Sequence, residues 1–408
     1  MTSAKVIALR AREARLKRKL RAHLKDLGFH KSADGTLVPP ALDKETYRSI
    51  HSHQRSTKLA VHRDWIEAKA GKLNRYFASG KDVEVRSIKP RLELIVGGTW
   101  QSDLFRLAGL SWQIPISEGY GRRLRFLVWD DSNEKLIGLL ALGDAVFNLR
   151  ARDEMIGWDH RRREAALVHL MDAYVLGAVP PYNALLGGKL IASLMRTKEI
   201  VDAFNVKYRD AVGVISKVNK NPRLAAITTT SALGRSSLYN RLKLDGRLLL
   251  QPIGFTSGWG HFHISDSLFE ELKAYLKQSG DPYAGAFNFG NGPNWRVRMI
   301  KRALNLLGMD PGLVRHGFPR EVFFCPIASN AVAFLKGDHK RIRYGKLPTV
   351  QDMSKLALER WSIPRSQRFP EYSEWLAAGF VNALREGGAT TKTRGGGDQR
   401  GLGQRPTR

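Results

Sequence analysis

Leu16, Leu20, Leu24 and Leu27 fall at steps of 4, 4 and 3, one face of an α-helix, and Gly28 suits its C-cap. Leu59, Ile66, Leu73 and Phe77 keep near-helical spacing, which predicts one or two helices over 43–79, ended by Ser79-Gly80. From Glu84 the pattern turns to short apolar runs. EVRSIKPRLELIV, LRFLVWD and LIGLLALGDAV read as strands, with turn chemistry at Asp130-Asp131-Ser132-Asn133 between the last two. DEMIGWDHRRREAALVHLMDAYVLGAV is expected to continue the sheet, with a charged connector over 159–163.

Between Ala166 and Ser265 the order strand, Gly/Pro/Ser-rich loop, helix occurs twice. The first strand ends in Pro180-Pro181, which cannot keep pairing, so the chain splays and enters a helix near Leu186 with Gly187 and Gly188 in its first turn. The second strand, ending in Thr228-Thr229-Thr230, runs through Gly234-Arg235-Ser236-Ser237 into a further helix. A capping box, Ser267-x-x-Glu270, opens a helix over 266–279 that Gly280 closes. Another spans 295–307, stopped by Gly308. The run at 336–346 nets +4 and reads as an exposed loop; the tail from Gly387 has almost no large apolar residue and is expected to be disordered.

Charge changes the picture. The 408 residues carry 67 Lys+Arg against 38 Asp+Glu, a net +29, which calls for a polyanionic partner. DNA or RNA comes first and an anionic membrane surface second. Residues 1–31 alone net +8, and Arg15, Lys17, Arg18, Lys19 and Arg21 lie in this first helix. Arg298, Lys301 and Arg302 share one face of the 295–307 helix. These eight are the candidate phosphate contacts; the alternative is a solvated helix face. The single cysteine, Cys325, excludes an internal disulfide and a multi-cysteine zinc site. Without an 18-residue apolar run or a signal-peptide h-region, a cytoplasmic protein with no membrane partner is expected.

The candidate chemistry is scattered. Gly234, Arg235 and Ser236 would bring backbone N–H groups, hydroxyls and a guanidinium to one turn, suited to a phosphate or carboxylate; ordinary N-capping is the alternative. His261 and His263 alternate on an expected strand, which fits a general base, but no third ligand makes a metal site. His51, His53 and His62 read as surface histidines. Asp153, beside Arg152, is a catalytic carboxylate or half of a turn salt bridge. No P-loop occurs, and the carboxylates do not cluster as a metal-dependent nuclease needs.

Asn183-Ala184-Leu185-Leu186-Gly187 resembles the pyrophosphate-binding loop of GNAT acyltransferases, Gln/Arg-x-x-Gly-x-Gly/Ala, with Gly187 at the final glycine and Leu185 replacing the first. Ser237-Leu238-Tyr239-Asn240-Arg241-Leu242, followed by Ile253-Gly254-Phe255-Thr256, is similar to the ending of that fold, with a longer spacing. The resemblance implies an acetyl-CoA-like ligand held around Asn183, Gly187, Gly188 and Gly234–Ser236, and Tyr239 as a general acid.

A narrower resemblance rests on Arg152-Asp153-x-x-Ile156-Gly157-Trp158, Thr229-Thr230-Ser231-x-x-Gly234-Arg235-Ser236-Ser237-x-Tyr239-Asn240-Arg241-Leu242 and Gly254-x-Thr256-x-Gly258-x-Gly260-x-Phe262-His263. It continues through Gly290-x-Gly292-Pro293-Asn294 and Arg315-His316-Gly317-x-Pro319-Arg320. Over roughly residues 80–340 the chain is similar to the DruA family of Druantia anti-phage proteins. That implies a defence or mobile-element setting, with other subunits such as a helicase.

The expected architecture is α/β or α+β: a basic helical region over 1–80, a GNAT-like mixed central sheet flanked by helices over 81–265, a mixed C-terminal part over 266–385, and a disordered basic tail over 386–408. The expected function is a defence component that engages nucleic acid. The alternatives are a group-transfer enzyme with Tyr239, His263 or Asp153 as its acid or base, and an architectural DNA-binding protein.

Overall fold

The computed structural model describes residues 3–32, 37–116, 121–213, 217–282 and 295–387. The expected tail beyond 387 and the Gly290-x-Gly292-Pro293-Asn294 motif lie outside these residues.

Along the chain, helix α1 (Ser3–Asp26) is followed by α2 (Lys44–Val61) and α3 (Arg63–Leu73). Gly28, at φ +80°, closes α1, and the Asp43 side chain caps α2 by accepting from Thr46 N at 2.8 Å. Then come β1 (Pro90–Leu94), α4 (Trp100–Leu110), β2 (Arg123–Asp130), β3 (Lys135–Asp144), α5 (Arg150–Ile156), α6 (His160–Ala166) and β4 (Leu170–Ala178). Next are α7 (Gly187–Leu194), α8 (Lys198–Tyr208), β5 (Ala226–Thr230), β6 (Gln251–Phe255), α9 (Asp266–Gln278) and α10 (Trp295–Leu306). The described chain ends with β7 (Glu321–Pro326), α11 (Ala331–Lys336), α12 (Val350–Ala357), α13 (Ile363–Arg368) and α14 (Ala378–Arg385).

These seven strands form one mixed sheet in the order β6-β7-β5-β4-β3-β2-β1. Every neighbouring pair is antiparallel except β4 and β5, which run parallel. Strand alternation sorts the two faces. Leu124, Phe126 and Val128 of β2 face one apolar core with Leu190 and Ile191 of α7, Phe204 of α8 and Met353 of α12. Leu127 and Trp129 face the other, with Leu59 of α2, Ile66 of α3, Leu104 of α4 and Phe380 of α14. A mixed α/β sheet flanked by helices is therefore as the sequence reads.

A third core is assembled from distant parts of the chain. Leu16, Leu20 and Leu24 of α1 pack with Leu268, Leu272 and Leu276 of α9, Ile300 and Leu304 of α10, and Phe318. The leucine stripe of α1 is thus fully used, and its basic side is turned outward.

Several local expectations are corrected. Residues 150–166 are two short helices rather than sheet: Gly157 at φ +78° ends α5, and Asp159 caps α6 by accepting from Arg162 N at 2.6 Å. No α-helix follows Ser237; a single 3₁₀ turn, Tyr239–Arg241, forms there, because the Ser236 hydroxyl accepts from Tyr239 N at 3.0 Å and closes one turn only. Residues 261–263 are a turn rather than a strand, closed by Ile264 N donating to His261 O at 3.0 Å. His51 is likewise not a surface residue: it is buried and stacks on Phe262 with ring centroids 4.5 Å apart.

Candidate functional site

The parallel pair at the middle of the sheet is short. It joins Leu170, Met171 and Asp172 of β4 to Ala226, Ile227 and Thr228 of β5, and beyond that the strands no longer pair. Strand β4 is also bulged at Tyr174, where its register with β3 slips between Ala141 and Leu142. The result is a fork in the sheet, with polar side chains at its base.

The Thr228 hydroxyl donates to Asp172 Oδ1 at 2.8 Å, and the Thr229 hydroxyl donates to Ala173 O at 2.8 Å across the point of divergence. Burial pushes the Asp172 carboxyl up to about 6, against the opposing effects of the Thr228 bond and the Arg152 charge. Tyr239 lies beside Thr229 and near Asp172. Its ring meets Phe323 edge-on at 5.3 Å. Burial raises its phenol to about 12, so it stays protonated. A protonated phenol and a carboxyl that titrates near neutrality are a workable acid–base pair. Sequence reasoning misses Asp172; the available signal is a lone acid in the apolar run LMDAYVLGA.

The turn at Gly234–Ser237 does bind a carboxylate, but one of the protein's own. Glu321 Oε2 accepts from Ser236 N at 2.8 Å and from Asn240 Nδ2 at 2.7 Å. Gly234 needs its φ of +70°, and Gly234 O accepts from Glu321 N at 3.2 Å. Arg235 is exposed. Gly187 serves packing: its N–H donates to Tyr182 O at 2.9 Å, and a Cβ there would lie 2.6 Å from that oxygen. Asn183 N donates to Val179 O at 3.0 Å. Three of the N–H groups that a pyrophosphate would use, those of Asn183, Gly187 and Ser236, are thus committed to acceptors within the protein.

The two loops are nevertheless neighbours. A Cβ on Gly188 would lie 3.4 Å from Leu238, and Lys189 is lowered by burial and then by the charges of Arg241 and Arg360. Lys189 Nζ sits 5.3 Å from the Trp361 ring centroid, and Arg365 Nε donates to Ala184 O at 3.1 Å. Four cations thus gather about the start of α7.

His263 and Asp153 stand elsewhere. His263 is buried in the third core, where its Nε2 donates to Leu313 O at 2.7 Å and burial lowers it to about 4. Asp153 receives Arg152 Nη2 at 2.6 Å and Arg163 Nη1 at 3.0 Å. Arg152, fully buried, also donates to Val146 O and Phe147 O. This is an ion network that anchors the loop before α5. Among the described residues no group of three or more His, Cys, Asp or Glu side chains could hold a metal.

The basic residues divide. Arg15 and Lys19 turn toward Glu271 of α9, and Arg302 pairs with Asp281 at 2.7 Å. Lys301 lies over the ring of Trp259 at 4.5 Å, and Trp259 is 51% exposed. Arg298 is exposed. Arg10, Arg18, Arg21 and Lys25 of α1 are exposed, Lys17 is half-buried, and no described carboxylate forms a salt bridge with these five.

A family model described as Druantia protein DruA matches residues 41–337. A Druantia protein DruA from Escherichia coli (strain UMEA 4076-1) is 53% identical over 372 residues, covering 91% of this chain and 92% of that protein. No solved structure matches.

Proposed function

The chain belongs to the Druantia DruA family, and from that premise we propose that it is an anti-phage defence component that engages nucleic acid, DNA first. The observation that carries this is the solvent side of α1. Arg10, Arg18, Arg21 and Lys25 stand there without a described carboxylate in salt-bridge reach, while the leucine side is locked onto α9 and α10. A helix held rigidly by one face and cationic on the other suits a phosphate backbone. Trp259, exposed beside Lys301, adds an aromatic face on which a base can stack. Arg298 and Lys301 extend the phosphate-contact surface to α10, where Arg302 is held by Asp281. Other defence-system subunits, a helicase among them, are the protein partners in this reading. The basic helical region is taken as 1–80, the core as 81–265 and the mixed C-terminal part as 266–385, with α1 docked on the last.

Anisotropy of a labelled DNA duplex tests the reading. The chain should bind at low salt, and replacing Arg10, Arg18, Arg21 and Lys25 by Gln should weaken binding while the melting temperature holds. Equal binding by both proteins would reject α1 as the contact.

A second reading has an observation of its own. The sheet fork, the bulge at Tyr174 and the helix that follows support a GNAT-like core, and Asp172 with Tyr239 at its base favours a group-transfer activity on nucleic acid or a small molecule. The occupied N–H groups at Gly187 and Ser236 argue that any such activity uses a ligand other than acetyl-CoA. Tyr239→Phe, which keeps the ring, should then abolish phage protection without loss of DNA binding.

A further inference from the structure

On the sheet face away from α7, the apolar core stops before the strand ends do. Down β2 the inward positions read Trp129, Leu127, Arg125, Arg123. The last two open into a cavity of about 700 Å³ between the sheet, α2 and α4, within the range of roughly 300–1,000 Å³ common for small-molecule sites. Among the described residues its cations are Arg55, Lys58, Arg106, Arg123 and Arg125, and its carboxylate is Asp103, which is held by Lys69 at 2.9 Å.

The wall opposite the strands is fixed in place. Arg55 Nε donates to Trp112 O at 3.2 Å and Lys58 Nζ to Ile116 O at 2.7 Å, so α2 holds the segment 112–116 as one side of the cavity. Arg123 lies 4.4 Å from the Tyr174 ring centroid and Arg125 5.7 Å from that of Phe105. Arg106 bonds His62 Nδ1 at 2.9 Å at the rim. For Arg106, Arg123 and Arg125 no salt bridge to a described carboxylate exists. The half-buried guanidiniums of Arg123 and Arg125, in a concave and partly apolar space, carry a desolvation cost that no carboxylate among the described residues offsets. An incoming phosphate would offset it, because the planar guanidinium fork matches phosphate oxygens two at a time. Trp112, Tyr174 and Phe105 supply an aromatic and apolar wall of the size of a nucleobase.

We propose that this cavity binds a nucleotide unit, its phosphates on Arg123, Arg125 and Arg106 and its base against the aromatic wall. The site lies apart from the α1 surface and does not depend on the reading given for it. Two sources share this chemistry: a free nucleotide, and the 5′-phosphorylated end of a nucleic-acid strand.

Calorimetric titration of the full chain tests the proposal, with ATP, adenosine, inorganic phosphate, and an oligothymidine with and without a 5′-phosphate as probes. The expected result is binding of ATP or of the 5′-phosphorylated oligothymidine, at least tenfold weaker binding of adenosine and of inorganic phosphate, and at least a tenfold loss in Arg123→Gln/Arg125→Gln. Arg123→Lys/Arg125→Lys, which keeps the charge and loses the fork, should fall between. ATP alone identifies the free nucleotide as the source; the phosphorylated strand identifies a strand end. Should the Gln pair fail to fold, Arg106→Gln at the exposed rim gives the same readout. Neutralising α1 should leave ATP binding unchanged, which separates this site from the duplex surface. No binding of either phosphorylated probe, inorganic phosphate binding as tightly, or binding unmoved by the arginine variants would overturn it.

Discussion

Asp172 and Tyr239 show how little of a residue's role is written in its spacing. Tyr239 is named by a loose pattern match, but its environment comes from β4, far earlier in the chain. Asp172→Asn should remove a group titrating near pH 6 from the fork, which carboxyl chemical shifts across pH 4–8 (about two units either side) would report; an unshifted titration in the parent chain would contradict the burial argument. Glu321 is a structural acid. Glu321→Ala leaves the Ser236 N–H buried without an acceptor, while the Asn240 amide keeps only Ser236 O, and should cost about 1–3 kcal/mol. Arg152→Leu strands Asp153 and should cost about 3–5 kcal/mol, read by denaturant unfolding; a change under about 1 kcal/mol would mean that Arg163 suffices.

At the scale of elements, periodicity is legible where an element is long and one-sided. The leucines of α1 recur over several turns, and Leu16, Leu20 and Leu24 are buried as their spacing implies. Helices α5 and α6 have 7 residues each, too few for a period to stand out, and their buried apolar residues (Ala151, Ile156, Ala166) show no helical spacing. The cap residue Asp159 and the stop Gly157 are the readable signals. The turn at 234–237 is offered by the sequence as a site for a phosphate or carboxylate; in the structure its Ser236 N–H holds Glu321 of β7, and no local pattern around the turn announces a carboxylate from so distant a strand. Gly187→Ala should destabilise by about 1–3 kcal/mol, since its Cβ meets Tyr182 O at 2.6 Å. Removing residues 1–31 would strip the third core of Leu16, Leu20 and Leu24, so charge neutralisation is the sounder probe of α1.

For the whole molecule, pH and salt act on different groups. Burial holds His51, His169, His261 and His263 at about 4 and His316 at about 2. The unfolded chain takes up protons on these histidines below about 6.5, while the folded chain does not. The stability they confer is present above that pH and is lost as pH falls toward 4. Asp172, raised to about 6, acts in the opposite sense, favouring the fold below its unfolded value of 3.8 and losing that as pH rises through 6. Five histidines outweigh one carboxyl, so the melting temperature should fall between pH 6.5 and 4; a flat or rising profile would contradict their burial. Salt acts on the net +29, and here the central claim is tested most directly. The measurement is the slope of log K for a DNA duplex against log salt concentration, for the parent chain and for the Arg10/Arg18/Arg21/Lys25→Gln variant. Each neutralised phosphate contributes about 0.9 to the slope, so the parent should be steep and the variant shallower by about 3 to 4. Equal slopes, or binding indifferent to salt, would contradict the account.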